Sequence, residues 1–279
     1  MNRMDKRHPI IKVSIFTMLM LMTLSFMYPL YYMAINSVKT KTAYMTNPFS
    51  LPLEDLSITN YFTMISQFNI LNNFKNSFII ASTSVILILM FAIFASYAFA
   101  KLRFTCKRPL FLLIICTMFI PGQVTMIPMY VAFAKVGLIN NYWSVILAYL
   151  ASSLPGTILL MTSNFRGISG EMIEAAKIDG CNYFQTIYNL IIPMGMSAIA
   201  ISIVFSFIGF WNDLFTPMIF LQKMEMRTVV VALASIMSRY SGDPPYQFAG
   251  LMLSTVPVLL VYLVFQRFIV KGLTVGSIK

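Results

Sequence analysis

Long apolar runs, separated by short polar or basic stretches, restrict what this chain can fold into more than any other feature. Hydrophobic residues make up 58% of the 279 residues and charged residues only 10%, whereas a soluble domain has about 25% charged residues. A run of about 20 apolar residues is what a transmembrane helix requires. The sequence therefore predicts an all-α integral membrane protein, built as a single transmembrane domain over residues 1–279.

Six apolar runs have the length of a span. They lie at about 10–35, 77–100, 109–134, 143–162, from 194 to the weaker stretch at 211–213, and at 249–265. The first is longer than a signal-peptide core, so we interpret it as a retained span. The connections 38–76 and 222–248 are polar or mixed, and the first of them is long enough to hold a short helix.

Several of the later spans contain proline residues. The third span is interrupted by Pro121-Gly122 and Pro128, the fourth by Pro155-Gly156, and Pro257 lies inside the sixth. Proline removes a backbone donor and bends a helix. In a membrane, such breaks require protein or water around them, so the third span is expected to line something.

Basic residues predict the orientation. The N-terminus, the turn 101–108, the polar segment 164–192 and the tail 266–279 together hold 13 of the 20 Lys and Arg residues. Because basic residues are concentrated on the cytoplasmic side of spans, both termini and the polar segment are predicted to be cytoplasmic. The net charge of +11 is then explained by orientation and anionic lipid, rather than by nucleic acid.

Several classes of site are disfavoured by composition. Cys106, Cys116 and Cys181 have no metal or disulfide spacing, and the one histidine, His8, lies in the basic N-terminal stretch. No Walker-type phosphate loop occurs. We therefore predict no metal site, no catalytic residues and no cofactor bound by this chain.

The polar segment 164–192 has its own helix signals. Ser169 can cap a helix that starts at Gly170, and Gly180 can end it. Asn182 and Gln185 have the spacing of a capping box for a second short helix. Between these signals, a pair of alanines leaves one helix face with almost no side-chain bulk, which lets a backbone approach another protein closely.

The spacing inside this segment resembles a known motif. The segment reads Glu174-Ala175-Ala176, three residues, Gly180, nine residues and then Leu190-Ile191-Ile192-Pro193. This pattern is similar to the EAA loop of ABC importer permeases and differs from it only in the aliphatic residues at Leu190 and Ile192. Further stretches resemble the carbohydrate branch, and within it the second permease of the maltose-transporter type. These stretches are 98–104, 120–124, 127–128, 211–213 and 271–276.

The resemblance implies a type I ABC importer permease fold with six spans in a bacterial cell membrane. It implies a heterodimer with a second permease subunit, two ATP-binding subunits that hold ATP and Mg, and an extracellular solute-binding protein. The polar segment would be the coupling loop, docking in a cleft of the ATPase. Its implied coupling residues are Glu174 for a polar contact, Ala175 and Ala176 for close approach, Gly180 for the turn, and Asp179 beside it.

A second candidate site is the stretch Trp211-Asn212-Asp213. Charges near a membrane interior are costly and usually functional. Aromatic rings stack on sugars and amides bond hydroxyls, so these three residues are candidates for the pathway or a substrate contact. The alternative is that Asp213 has no role in transport and is a structural or hydrated carboxylate at the outer interface.

Three other functions remain open at this point. A glycerol-phosphate-type solute fits the same transporter class. An ion-driven secondary transporter commonly uses intramembrane carboxylates or broken helices, but Asp213 is the one carboxylate near a predicted span. A structural membrane protein would need no broken spans.

Overall fold

The computed structural model describes residues 9–53, 56–239 and 242–275. The basic N-terminal residues up to His8 and the tail residues 276–279 lie outside the described residues. Every regular element in the described part is helical. The α-helices are α1 Pro9–Ser37, α2 Lys41–Thr46, α3 Thr59–Ser66, α4 Ile70–Lys101, α5 Lys107–Cys116, α6 Gly122–Lys135, α7 Tyr142–Arg166, α8 Gly170–Ile178, α9 Tyr183–Thr186, α10 Ile192–Met194, α11 Met196–Asn212, α12 Phe215–Phe220, α13 Val229–Arg239 and α14 Pro244–Val275.

Four of the described helices are long and apolar enough to cross a membrane, and two bent pairs bring the number of candidate spans to six. The four straight candidates are Ile11–Ser37, Ile70–Lys101, Tyr142–Arg166 and Pro244–Phe268. The bent pairs are Lys107–Phe119 with Gly122–Lys135, and Tyr183–Met194 with Met196–Asn212. The predicted helical membrane class is therefore confirmed, and the span count lies between four and six.

Only one of the predicted proline breaks is present. The chain bends by 96° between Phe119 and Gly122, as Pro121 predicts. The breaks predicted at Pro128 and Pro155 were wrong, since α6 and α7 continue through these prolines, and Pro257 likewise lies inside an unbroken α14. A proline inside a span removes one backbone hydrogen bond, and transmembrane helices tolerate this loss.

The fifth span contains a bend that the sequence did not indicate. A five-residue π-helix, Ile187–Ile191, is followed by α10, and the axis then turns by 77° at Gly195 before α11. A Cβ atom at Gly195 would overlap Cε1 of Phe165, a fully buried residue of α7. The ring of Phe165 thus occupies the space that any larger residue at Gly195 would need.

The described chain forms two compact units. One contains the residues up to Asn69 together with 233–253. Within it, the side-chain amide of Asn60 donates to the carbonyl oxygens of Ser37 and Lys39, at 2.8 and 2.9 Å. The Lys39 ammonium, itself 1% exposed, donates to the Asn47 carbonyl at 3.0 Å. These bonds stabilise a connection that contains two short helices, α2 and α3, where the segment 38–76 was expected to hold one.

The other unit contains 70–232 and the chain from Ser254 onward. Its core lies between α4, α7 and the end of the polar segment. Ser96 of α4 donates to the Ile158 carbonyl of α7 at 3.1 Å, and buried apolar side chains fill the remaining space. This core includes Met161, Phe165, Ile173 and Ile191.

Two elements were not expected. Residues 222–248 contain α13, Val229–Arg239, where the sequence indicated a mixed connection. Residues 266–275, predicted as part of a tail, continue α14 to Val275.

Candidate functional site

The polar segment 164–192 begins with the helix that its sequence predicts. The Ser169 hydroxyl accepts a hydrogen bond from the Glu171 amide at 3.2 Å, and α8 runs from Gly170 to Ile178. The chain then turns at Gly180, where φ is +82°. Because L-residues with a side chain rarely adopt this left-handed backbone, glycine is the residue that suits this helix end.

A second short helix follows the turn. The Asn182 amide donates to Oε1 of Gln185 at 2.8 Å, and the Gln185 amide donates to Oδ1 of Asn182 at 2.9 Å. This reciprocal pair is the predicted capping box. The π-helix Ile187–Ile191 continues directly from it, so the polar segment is joined to α11 by helical structure up to the bend at Gly195.

The polar segment is held to the core on its inner side. Ile173 of α8 is 6% exposed and packs in the same cluster as Phe165 and Ile187. The Lys101 ammonium, at the end of α4, donates to the Arg166 carbonyl at 3.2 Å and to the Ile168 carbonyl. A positive charge at this place also interacts favourably with the negative, C-terminal end of the α7 helix dipole.

The outer side of α8 faces away from the core. Glu174, Ala175, Asp179 and Gly180 are exposed, and Ala176 is half-buried. Ile178, beside them, is 86% exposed. Large apolar side chains exposed on a polar segment are typical of a surface that contacts another protein or a membrane.

Three aromatic residues extend this exposed surface past the turn. Tyr183, Phe184 and Tyr188 are 60%, 70% and 74% exposed. Sequence reasoning concentrated on the charges and alanines and missed this apolar part. Its signal was present in the sequence, because Tyr183 and Phe184 on α9 and Tyr188 on the π-helix are large aromatic residues within a polar segment.

A groove lies among α6, α7 and α11. It has a volume of about 870 Å³ and continues into a second cavity of about 410 Å³ with which it shares six lining residues. The lining is rich in small hydroxylated residues and glycine: Thr117, Gly122, Thr125, Ser152, Ser153, Gly156, Thr157, Ser202, Ser206 and Gly209. The bend at Pro121 places the start of α6 along this groove, which agrees with the expectation that the third span lines something.

The candidates Trp211, Asn212 and Asp213 do not share one environment. Asn212 and Asp213 line the second cavity. An Asp213 carboxylate oxygen accepts a hydrogen bond from the Phe215 amide at 3.0 Å. Trp211 is 1% exposed, and its indole N–H donates to the Ser254 carbonyl at 3.0 Å. In this conformation Trp211 supports α11 and has no face available for a solute.

The chemistry of the described residues offers no obvious centre for a metal. Among residues 9–53, 56–239 and 242–275, no three His, Cys, Asp or Glu side chains converge. Cys106, Cys116 and Cys181 are free thiols. The absence of a cofactor on this chain stays a prediction.

Comparison with known proteins adds independent findings. Residues 88–275 match the family described as binding-protein-dependent transport system inner membrane component. A putative ABC transporter permease protein of Caldicellulosiruptor is 33% identical over 252 residues, covering 90% of this chain and 91% of that one. The arabinooligosaccharides transport system permease protein AraQ of Bacillus subtilis is 24% identical, with all of both chains covered.

A solved structure has the same fold. It is a chain of a bacterial ABC transporter involved in the import of the acidic polysaccharide alginate, with a TM-score of 0.81. It covers 96% of this chain and 99% of the solved chain, at 23% sequence identity. At this identity the likeness concerns the backbone fold alone.

Proposed function

This chain belongs to the family of binding-protein-dependent transport system inner membrane components, and we propose that it forms half of the translocation pathway of an ATP-driven importer of a sugar or oligosaccharide. Members of this family are permease subunits of ABC transporters, and ATP hydrolysis belongs to a separate subunit. The names of relatives that carry oligosaccharides support the class of solute.

The observation that carries the proposal is the geometry of the polar segment. Its inner side is fixed to the core through Ile173 and Lys101, while Glu174, Ala175 and Ile178 remain exposed. A helix that packs against the core on one side and is exposed on the other is suited to receive a force from a docked protein. The small alanine side chain allows close approach, and the exposed Ile178 supplies apolar area.

Movement of this helix would be transmitted through the π-helix to α11. Since α11 forms one wall of the groove, closure of two ATP-binding subunits beneath the membrane would change the width of the groove. ATP and Mg would be held by those subunits. Alternating access then follows from a shift between two packed arrangements rather than from bending of individual helices.

The orientation and the remaining partners are part of the same proposal. The concentration of basic residues in the turn 101–108 and at both ends of the sequence supports a cytoplasmic location for both termini and for the polar segment on the same side. The family description names a binding protein, which would deliver solute from the opposite side. A second permease subunit would supply the other half of the groove.

An ion-driven transporter is less well supported. The carboxylate that lines the cavities among the described residues is Asp213, and it accepts a backbone hydrogen bond. Coupling to protons or sodium commonly uses carboxylates or broken helices at a central site. The groove of about 870 Å³ has no such carboxylate among its described lining residues.

The test is co-purification of the complex from native membranes in mild detergent. We expect the wild-type chain to bring down a second permease and an ATP-binding subunit, and Glu174→Arg to lose the ATP-binding subunit. Glu171→Arg is the matched control, because it reverses the same charge one turn earlier in α8. Recovery of the chain alone, with solute uptake that does not depend on ATP, would contradict the proposal.

A further inference from the structure

The groove carries no positive charge. Among the described residues that line it and its continuation, none is lysine, arginine or histidine. The ionisable residues there are Tyr149 and Asp213, both in the continuation. An anionic solute in this half of the pathway would lose water and gain no counter-charge from this chain.

The hydroxyl groups of the groove are arranged mainly as acceptors. Ser152, Thr157 and Ser202 each donate to a carbonyl oxygen of their own helix, at 3.2, 2.9 and 2.9 Å. A hydroxyl has one proton to donate and two lone pairs, so these groups can offer a bound molecule an acceptor oxygen but no donor; Ser152 is exposed, whereas Thr157 and Ser202 are buried. The groove thus presents oxygen atoms that suit a solute rich in O–H donors.

Pro155 adds a further acceptor. Because proline has no amide N–H, the carbonyl of Ala151, four residues earlier in α7, lacks its usual helical donor. Ala151 and Pro155 both line the groove. The proline that does not break α7 therefore leaves one backbone carbonyl without its usual helical donor, in a residue that lines the groove.

One aromatic side chain of the groove lining is largely exposed. Phe205 of α11 is 73% exposed and lies one turn from Ser202 on the groove wall. The other aromatic residues of the lining are packed: Phe210 stacks on Tyr149 with ring centroids 4.2 Å apart, and both are buried. An open aromatic face beside hydrogen-bonding oxygens is a common arrangement for orienting a small molecule.

We propose that this groove binds an uncharged, polyhydroxylated solute, with Phe205 as the stacking surface and the oxygens of α7 and α11 as acceptors, and that it rejects acidic or phosphorylated sugars. This inference rests on the proposed importer function and restricts the class of solute that the importer carries. It favours neutral sugars over the glycerol-phosphate-type solutes, which the sequence left open. It also sets this chain apart from the transporter of the acidic polysaccharide alginate that shares its fold.

The experiment uses the complete transporter in proteoliposomes, with its partner permease, ATP-binding subunits and binding protein. The probes are maltotriose, arabinotriose and diacetylchitobiose as neutral solutes, and trigalacturonate and glycerol 3-phosphate as anionic ones. The accumulated solute is measured by mass spectrometry with and without ATP. The variants are Phe205→Ala, Phe205→Tyr as the conservative change, and Phe215→Ala as the control, since Phe215 is 61% exposed but lies outside the groove.

We expect ATP-dependent accumulation of at least one neutral probe and none of the anionic probes. Loss of the stacking surface in Phe205→Ala should lower the initial rate about tenfold, while Phe205→Tyr and Phe215→Ala stay within about twofold of wild type. Subunit composition should be the same in all four proteins.

Four results would overturn the inference: accumulation of an anionic probe, accumulation of no neutral probe, equal rates for Phe205→Ala and Phe215→Ala, or loss of the second permease from the Phe205→Ala complex. The last would assign Phe205 to the subunit interface. Failure of the proposed function looks different, because the ATP-binding subunits would then be missing from the wild-type complex or uptake would not require ATP.

Discussion

Replacing Gly195 by alanine tests whether the bend before α11 is set by packing. The added Cβ would overlap Cε1 of Phe165 and would lie 2.9 Å from the Ile191 carbonyl oxygen and 3.1 Å from Cδ1 of Phe165. The backbone at Gly195 has φ −87°, which alanine adopts without strain. Any effect therefore comes from lack of space.

The expected magnitude follows from the surroundings of Phe165. Its ring is fully buried, so it has no solvent into which it can turn, and the bend itself must shift. Overpacking of this kind costs about 1–3 kcal/mol. For a chain of this size, that corresponds to a fall in melting temperature of about 2–12 °C.

The assay is thermal unfolding of the purified complex in detergent, together with ATP-dependent uptake. We expect Gly195→Ala to lower both the melting temperature and the uptake per ATP hydrolysed, because the bend connects the polar segment to the groove. Gly209→Ala is the control for thermal unfolding, since a Cβ there meets nothing within 4 Å. Alanine in a helix is favoured over glycine by about 0.5–1 kcal/mol, so Gly209→Ala should be neutral or slightly more stable. A Gly195→Ala protein with the wild-type melting temperature and wild-type uptake per ATP hydrolysed would show that the Phe165 ring does not set the bend.

Three further perturbations have defined outcomes. Asn182→Ala removes the capping box at a cost of about 1 kcal/mol, so amide hydrogen exchange over 183–186 should accelerate, whereas Asn189→Ala, an exposed neighbour, should leave it unchanged. Lys101→Met leaves the Arg166 and Ile168 carbonyls without their donor, and exchange in α8 should accelerate; equal exchange in both proteins would contradict the role of this lysine. Burial raises the pKa of Asp243 above 3.8, with Lys41 opposing the shift. The stabilising contribution of protonated Asp243 is therefore complete below pH 3.8 and is lost as the pH rises through the raised pKa. In thermal unfolding, the melting temperature of Asp243→Asn should rise relative to that of wild type as the pH increases. A difference in melting temperature that is the same at every pH would contradict this expectation.

Local signals predicted the polar segment well. Ser169, Gly180 and the pair Asn182 and Gln185 act through bonds or backbone angles within a few residues of themselves. Such features depend on the sequence nearby, so they are accessible before any tertiary contact is known.

Features that depend on distant residues were missed or misjudged. The bend at Gly195 depends on the ring of Phe165, thirty positions earlier along the chain. Pro155 was expected to break α7, yet the helix continues and the proline frees a carbonyl instead. Trp211 was chosen for its chemistry, but whether an aromatic residue is open or packed is decided by its neighbours, here Phe74 and Phe207.

The groove could be predicted from the sequence only in part. The bend near Pro121 indicated that the third span lines something, and the structure confirms that α6 does. Ser202 and Phe205 could not be selected from the sequence, because serine and phenylalanine are ordinary in apolar spans. Only the placement of α11 against α7 shows that their side of the helix faces an open space.

Photo-crosslinking in intact membranes tests most directly whether the polar segment is the contact for an ATP-binding subunit. A photoreactive amino acid is placed at Ile178, which is 86% exposed on α8, and separately at Leu53, which is 83% exposed in the connection predicted to lie on the opposite side. We expect the Ile178 position to capture the ATP-binding subunit and the Leu53 position not to capture it. Capture of that subunit from Leu53, or no capture from Ile178 in an assembled and transporting complex, would contradict it.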